Sequence, residues 1–319
     1  MSANKQHTKQ KISLSISWTK LPVNLRGLLL MAVFALLVAI THCVARELSK
    51  NIHPMQIAFF RSIIPLILVI PVLYFQGRKS KVIWWRTSRP GLQIIRGTAG
   101  STALIAWWYS ISMIPVGDAT AISFSVVIFA SLGAVIFLGE KMGVHRWSAV
   151  TIGFIGTMII IRPGLQTIEL GSIFALGSAV FWASGLVMTK VLSRTDSTLT
   201  IVFYSSAFYA LFTFPLAMSF WSWVDLNELL MLILVGILAF FAHLAVTMSL
   251  KQAEATVVMP MDFTRLLWAA VISYLWFGEF PDMWTWIGSI IVFSSTFYIT
   301  YRERQRNVDD ASSTPSQSQ

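Results

Sequence analysis

The sequence predicts an all-α membrane protein with ten transmembrane helices arranged as two inverted five-helix repeats. Three observations carry this. Hydrophobic residues make up 55% of the 319-residue chain and charged residues 12%, with a mean hydropathy of +0.69; soluble domains carry roughly 25% charged residues. The apolar residues fall in ten runs long enough to cross a bilayer, which takes about 20 residues each. Finally, the second half of the chain matches the first when the sequence is slid along itself.

The predicted spans are 27–45, 54–75, 92–113, 117–138, 145–161, 170–189, 198–219, 228–249, 255–277 and 283–301. Barrel strands are excluded because these runs are about twice a strand's length and lack alternation. The chain therefore divides into an N-terminal tail (1–26), a first repeat (27–161), a second repeat (170–301) and a polar, disordered tail (302–319). The stretch before Leu21 is too hydrophilic for a signal-peptide core, so no cleavage is expected. The single cysteine, Cys43, allows no internal disulfide and no Cys-based metal site, and is expected as a small core residue. No cofactor or metal is expected.

A net charge of +10 would suggest a nucleic-acid partner for a soluble protein. Here the basic residues flank apolar runs, so membrane topology accounts for them and no nucleic acid is expected. If the N-terminus is inside, the inner segments hold eighteen of the twenty-four Lys and Arg and the outer loops only Arg46, Lys50 and Arg162. Arg61, Arg96 and Arg265 lie within or at the ends of spans. Both termini are thus expected in the cytoplasm. Trp84, Trp85 and Trp147 at inner boundaries, and Trp221, Trp223, Trp284 and Trp286 at outer ones, form the matching interfacial belt.

At an offset of 144 residues, Gly27 meets Gly171, Ala35 meets Ala179, Phe59-Phe60 meets Phe203-Tyr204 and Pro71 meets Pro215. Later in each half the offset becomes 136 to 139: Asp118-Ala119-Thr120 meets Glu254-Ala255-Thr256, and Leu138-Gly139-Glu140 meets Phe277-Gly278-Glu279. Five spans is an odd number, so the second copy enters the membrane from the opposite side. Inverted copies can exchange conformations, which gives two access states of similar energy.

These residues carry a family resemblance. Phe60-Arg61-Ser62, Arg96-Gly97, Gly117 to Phe124, Pro260 to Leu266 and the Gly-Glu closures of spans four and nine resemble the drug/metabolite transporter superfamily, in its ten-helix EamA-type branch. The likeness covers roughly residues 25 to 303. Span four departs from many relatives in having no proline near Val127. The resemblance implies gradient-driven exchange of a small molecule across the cytoplasmic (inner) membrane of a bacterium. It leaves the substrate open, since members handle amino acids, nucleotide-derived metabolites, vitamins and drugs.

A charge near the bilayer centre costs at least ~2.5–3.5 kcal/mol, so each one requires a partner or an aqueous cavity. Asp262 and Arg265, spaced i, i+3 on one face of span nine, are either a self-neutralising pair or a substrate site. In the second case Arg265 holds a carboxylate or phosphate and Asp262 an amine or a proton. Pro260 just before them is expected to loosen the backbone. His42 and Arg61 are expected to meet in the outer half of the cavity, with Arg61 bonding carbonyls at helix ends. His243 lies at the depth of Asp262 and could relay protons to it. Arg96 is expected to snorkel toward the inner headgroups or to gate. Glu140 and Glu279 are expected to cap helices or brace gates. Asp118 and Glu254 would serve as N-terminal acids. Trp107, Trp108, Tyr109, Trp182 and Trp268 could line a cavity and stack on a ring or a cation.

An intramembrane enzyme would need a Ser–His pair, paired aspartates or a metal cluster, and none is present. A channel would repeat a pore element around an axis. The expected function is secondary active transport, by proton coupling or exchange, of an amino-acid-like or S-adenosylmethionine-like metabolite. A broad-specificity drug/metabolite exporter or a riboflavin-type vitamin transporter is the alternative, with a lipid flippase behind both. The partners are a small molecule and the bilayer; monomer and homodimer both remain open.

Overall fold

With no water in the bilayer core to satisfy backbone N–H and C=O groups, spanning segments must close their hydrogen bonds internally. The chain does this with helices. The computed structural model describes residues 21–80, 85–113, 119, 122–161, 170–278 and, between 283 and 302, all but 285, 289, 293, 296, 299 and 300. Its helices are α1 (Val23–Leu48), α2 (Pro54–Ser80), α3 (Pro90–Met113), α4 (Ser125–Leu138) and α5 (Val144–Ile161). The second half supplies α6 (Leu170–Leu192), α7 (Thr198–Ser219), α8 (Leu226–Gln252), α9 (Ala255–Val258) and α10 (Thr264–Phe277). The described residues between 283 and 302 are helical as well. Among the described residues, six segments are long and apolar enough to cross a membrane on length and composition alone.

The breaks have local causes. Pro54 and Pro90 open α2 and α3, where a missing N–H costs nothing. Asp225 and Glu228 form a reciprocal capping box on α8. Span nine is not one helix: residues Met259–Phe263, containing Pro260, form a 3-10 segment between α9 and α10. The backbone loosening expected at Pro260 is therefore present, and it falls on Asp262.

The helix pairings repeat. α1 packs on α8 as α6 packs on α3, α4 packs on α6 as α10 packs on α1, and α2 packs on its own counterpart α7. α4 and α10 are both 14 residues long and end at Gly139 (φ 69°) and Gly278 (φ 68°). Only glycine adopts this left-handed conformation without strain. Close approaches match too: a Cβ on Gly97 would strike Phe208, and one on Gly236 would strike Ile64. The outward surface is apolar, with Ile67, Phe137 and Leu275 largely exposed, as a lipid-facing surface requires. Cys43 is a buried thiol.

α1 begins on what we call the proximal face and ends on the distal face. A central core of Met31, Phe124, Val127, Ala130, Leu250, Met259 and Phe263 lies between them. Phe124 and Phe263 meet there with ring centroids 5.9 Å apart. On the distal face, the buried Gln56 of α2 donates to the Ser222 carbonyl (2.9 Å) and accepts from the Ser222 amide and hydroxyl (3.0 Å each).

Candidate functional site

A cavity of about 140 Å³ opens among α1, α2, α3, the start of α4, α6 and α10. Its lining comes from the middle and distal halves of these helices: Phe34, Val38 and His42 from α1, Arg61 from α2, Trp107 from α3, Phe124 before α4, Trp182 from α6, and Arg265 from α10. Ser178 of α6 ties its wall to the Ala103 carbonyl of α3 (2.8 Å).

Each charged group has a distinct setting. Arg265 approaches Asp262 at 3.3 Å, and its guanidinium sits over the Phe124 ring, 4.7 Å from the centroid. Asp262 is buried and its other oxygen, Oδ1, has no hydrogen-bond partner. Arg61 reaches the same cavity, but its buried Nε has no partner. The expected bonds from Arg61 to helix-end carbonyls are not made, because the side chain turns inward to the cavity instead. His42 joins it on the cavity wall, so these two residues do come together.

Arg96 also departs from expectation. It does not snorkel: it is 9% exposed and donates from Nε to Thr189 Oγ1 (2.6 Å) and from its guanidinium to the Ser205 hydroxyl and the Ile201 carbonyl. Hydroxyls offered by α6 and α7 hold it inside. His243 makes no relay with Asp262, since neither ring nitrogen has a partner. Its ring instead meets Tyr209 edge-on (5.8 Å), and Tyr209 in turn lies 6.5 Å from Trp182.

Of the five aromatic candidates, Trp107 and Trp182 line the cavity, while Trp108, Tyr109 and Trp268 lie off its wall. Tyr109 is half-exposed beside Phe174 (5.9 Å). Phe124, which covers Arg265, was not singled out by the sequence reading. The repeat offset offers a signal for it, because Phe124 aligns with Phe263 at 139 residues.

A second cavity, of about 770 Å³, lies at the proximal face, where Glu140, Lys141, Arg146, Lys190, Arg194, Lys251 and Glu254 gather. Beneath it the chain is latched. Glu140 accepts from the amides of Ala255 (3.0 Å) and Thr256 (2.9 Å) and from the Thr256 hydroxyl (3.0 Å). These bonds satisfy amides at the start of α9 that have no partner within that helix. Glu254 does not cap α9 with its side chain; it pairs with Arg146, which also bonds the Thr256 hydroxyl (3.0 Å). Lys190 donates to the Ala253 carbonyl. Glu279 and Asp118 lie outside the described residues.

At the nearby α6–α7 corner, Asp196 accepts from the Thr87 hydroxyl, the Ser88 amide (3.0 Å) and Gln93 Nε2 (2.9 Å). Burial alone would raise its pKa, but these hydrogen bonds outweigh burial and hold the carboxyl below its ordinary range.

Two inverted bundles closing on one charged and aromatic cavity, sealed on one side, suit a carrier. The comparisons agree. The model of the EamA-like transporter family matches residues 25–162 and again 169–301. An S-adenosylmethionine uptake transporter of Rickettsia bellii is 28% identical over 261 residues, covering 82% of this chain and 88% of its own. A riboflavin transporter of Vibrio cholerae is 29% identical over 293 residues, covering 89% and 97%. The pseudopaline exporter CntI of Pseudomonas aeruginosa is 27% identical over 268 residues, covering 83% and 93%. A solved crystal structure superposes with a TM-score of 0.76 at 16% identity, covering 88% of this chain and 98% of that one, which supports the fold. These relatives are transporters, not enzymes. With two family units filling nearly its whole length, the chain belongs to the EamA-like transporter family, and it is a multi-pass small-metabolite transporter of the drug/metabolite superfamily.

Proposed function

We propose that the protein carries a small charged or zwitterionic organic metabolite, amino-acid-like or S-adenosylmethionine-like, across a bacterial inner membrane by alternating access. Both termini lie in the cytoplasm, so the latched proximal face is the inner one and the cavity belongs to an outward-facing state. The observation that carries this reading is the convergence of Arg61, His42, Arg265, Trp107 and Trp182 on one cavity between the repeats. Guanidinium forks suit a carboxylate, and the indoles suit an apolar or ring portion. His42 is the candidate for proton coupling, and Glu140 gates without touching cargo. The names of the Rickettsia relatives support the substrate class.

The test is counterflow in proteoliposomes loaded in turn with S-adenosylmethionine and with zwitterionic and anionic amino acids. Saturable exchange of at least one of them is expected, and Arg265→Ala should abolish it while leaving membrane insertion intact. Linear, unsaturable flux, or full exchange by Arg265→Ala, would sink the reading. A riboflavin-type cargo is the second reading. It is favoured by the aromatic cavity wall and by the near-complete coverage of the Vibrio relative. Riboflavin in place of S-adenosylmethionine in the same vesicles separates the two.

A further inference from the structure

The charges within the spans do not balance. Among the described residues, the membrane interior holds three guanidiniums, Arg61, Arg96 and Arg265, against the single carboxylate of Asp262. Two of the three are provided for. Arg265 has Asp262 at 3.3 Å and the Phe124 ring beneath it, and Arg96 has the Thr189 and Ser205 hydroxyls and the Ile201 carbonyl. Arg61 has none of these. Its Nε is buried without a hydrogen bond, no carboxylate among the described residues pairs with it, and within its electrostatic reach lie the neutral Tyr209 hydroxyl and another cation, Arg265. His42, beside it on the cavity wall, lies within reach of both arginines and adds no negative charge.

An unneutralised charge in this setting costs several kcal/mol unless an anion or trapped water answers it. The site therefore carries an electrostatic demand, and Arg61 directs it into the cavity. We propose that the cargo is a net anion whose carboxylate is taken by Arg61, while Arg265, already neutralised by Asp262, shapes the wall. The apolar part of the cargo lies against Trp107 and Trp182. A net cation would add a like charge to a site that already has an excess. This assignment rests on the transport reading above and narrows its cargo to carboxylates of net negative charge, away from the S-adenosylmethionine-like end of the range.

The test uses one ring with three charges. Phenylacetate (a monoanion), phenylalanine (a zwitterion) and 2-phenylethylamine (a monocation) are titrated into the full-length protein in nanodiscs of neutral lipid, with melting temperature and calorimetry as readouts. Phenylacetate should bind most tightly and the amine least. Arg61→Gln should weaken phenylacetate at least about tenfold, the loss of a charge-assisted hydrogen bond, and erase its advantage over the amine. Arg61→Lys, which keeps the charge but not the fork, should retain part of that advantage. The ligand-free Arg61→Met protein should melt at or above the wild-type temperature, because the empty protein gains nothing from this charge.

Tighter binding of the amine, no response to millimolar phenylacetate, unchanged phenylacetate affinity in Arg61→Gln, or failure of the Arg61 variants to fold would each overturn the assignment. Saturable exchange of a cationic cargo by proteoliposomes would remove this assignment alone and leave the transport reading standing.

Discussion

The closing helices of spans four and nine share one backbone shape and carry different chemistry. Each span runs into a 14-residue helix and stops at a left-handed glycine, Gly139 or Gly278. In each, a phenylalanine, Phe124 or Phe263, stands just before the helix and faces its mate. Around these fixed points the side chains diverge. Where span nine has Asp262 and Arg265, the equivalent positions of span four hold Ser123 and Val126. The corners behave alike. Asp196 of the second repeat grips Gln93 of the first (2.9 Å), whereas the repeat mates of these two positions, Ile52 and Leu232, are neighbours in an apolar cluster. The backbone thus follows a two-fold symmetry that the charges do not, and the cavity's chemistry is concentrated where the halves differ.

Four measurements press on that contrast. The largest effect is expected at Asp262→Ala, which strips Arg265 of its partner in a buried setting and should cost ~3–5 kcal/mol. Its mate Ser123→Ala should cost about 1 kcal/mol or less, and equal losses in thermal denaturation would erase the distinction between the halves. Next, Glu140→Ala removes three hydrogen bonds to the start of α9, a loss of ~2–3 kcal/mol. It should also open the proximal face, read as faster maleimide labelling of a cysteine at Met259 in a Cys43→Ser background.

The glycines come third. Gly139→Ala and Gly278→Ala should each cost about 1–2 kcal/mol and by similar amounts, because the backbone asks the same of both. A large disparity in their melting temperatures would mean the likeness stops at the helix ends. The smallest effect is at Asp196, whose folded pKa is held below its unfolded value. Its contribution to stability is fully present above the unfolded carboxylate pKa of about 4 and is lost as pH falls through the lower folded value. Melting temperature followed through that acid range should show a shallow decline that Asp196→Asn flattens.

Much of this was legible in the residues. Span positions follow from apolar length, which is a one-dimensional property, and the described residues of the expected spans are helical but for the turn at Phe124. The Asp262–Arg265 contact was legible from i, i+3 spacing, and the break in span nine from Pro260. What failed was azimuth. His243 shares the depth of Asp262, but depth does not say which way a helix face turns, and His243 turns to Tyr209. Arg96 looks free in sequence because its partners, Thr189 and Ser205, lie in α6 and α7, roughly a hundred residues away. Arg61 and Arg265 could not be ranked without knowing which of them was already neutralised.

The Phe124–Phe263 contact has a consequence for kinetics. In the exchange proposed above, each half takes up the other's shape, so any pair of residues is carried onto the pair formed by their mates. These two rings are one another's mates, and the exchange returns the pair to itself. A substitution there burdens the inward and outward states alike and leaves their ratio nearly untouched. It acts on the crossing between them. Such a variant of either ring would keep its apparent affinity while its turnover rose or fell, which is how a fulcrum differs from a gate.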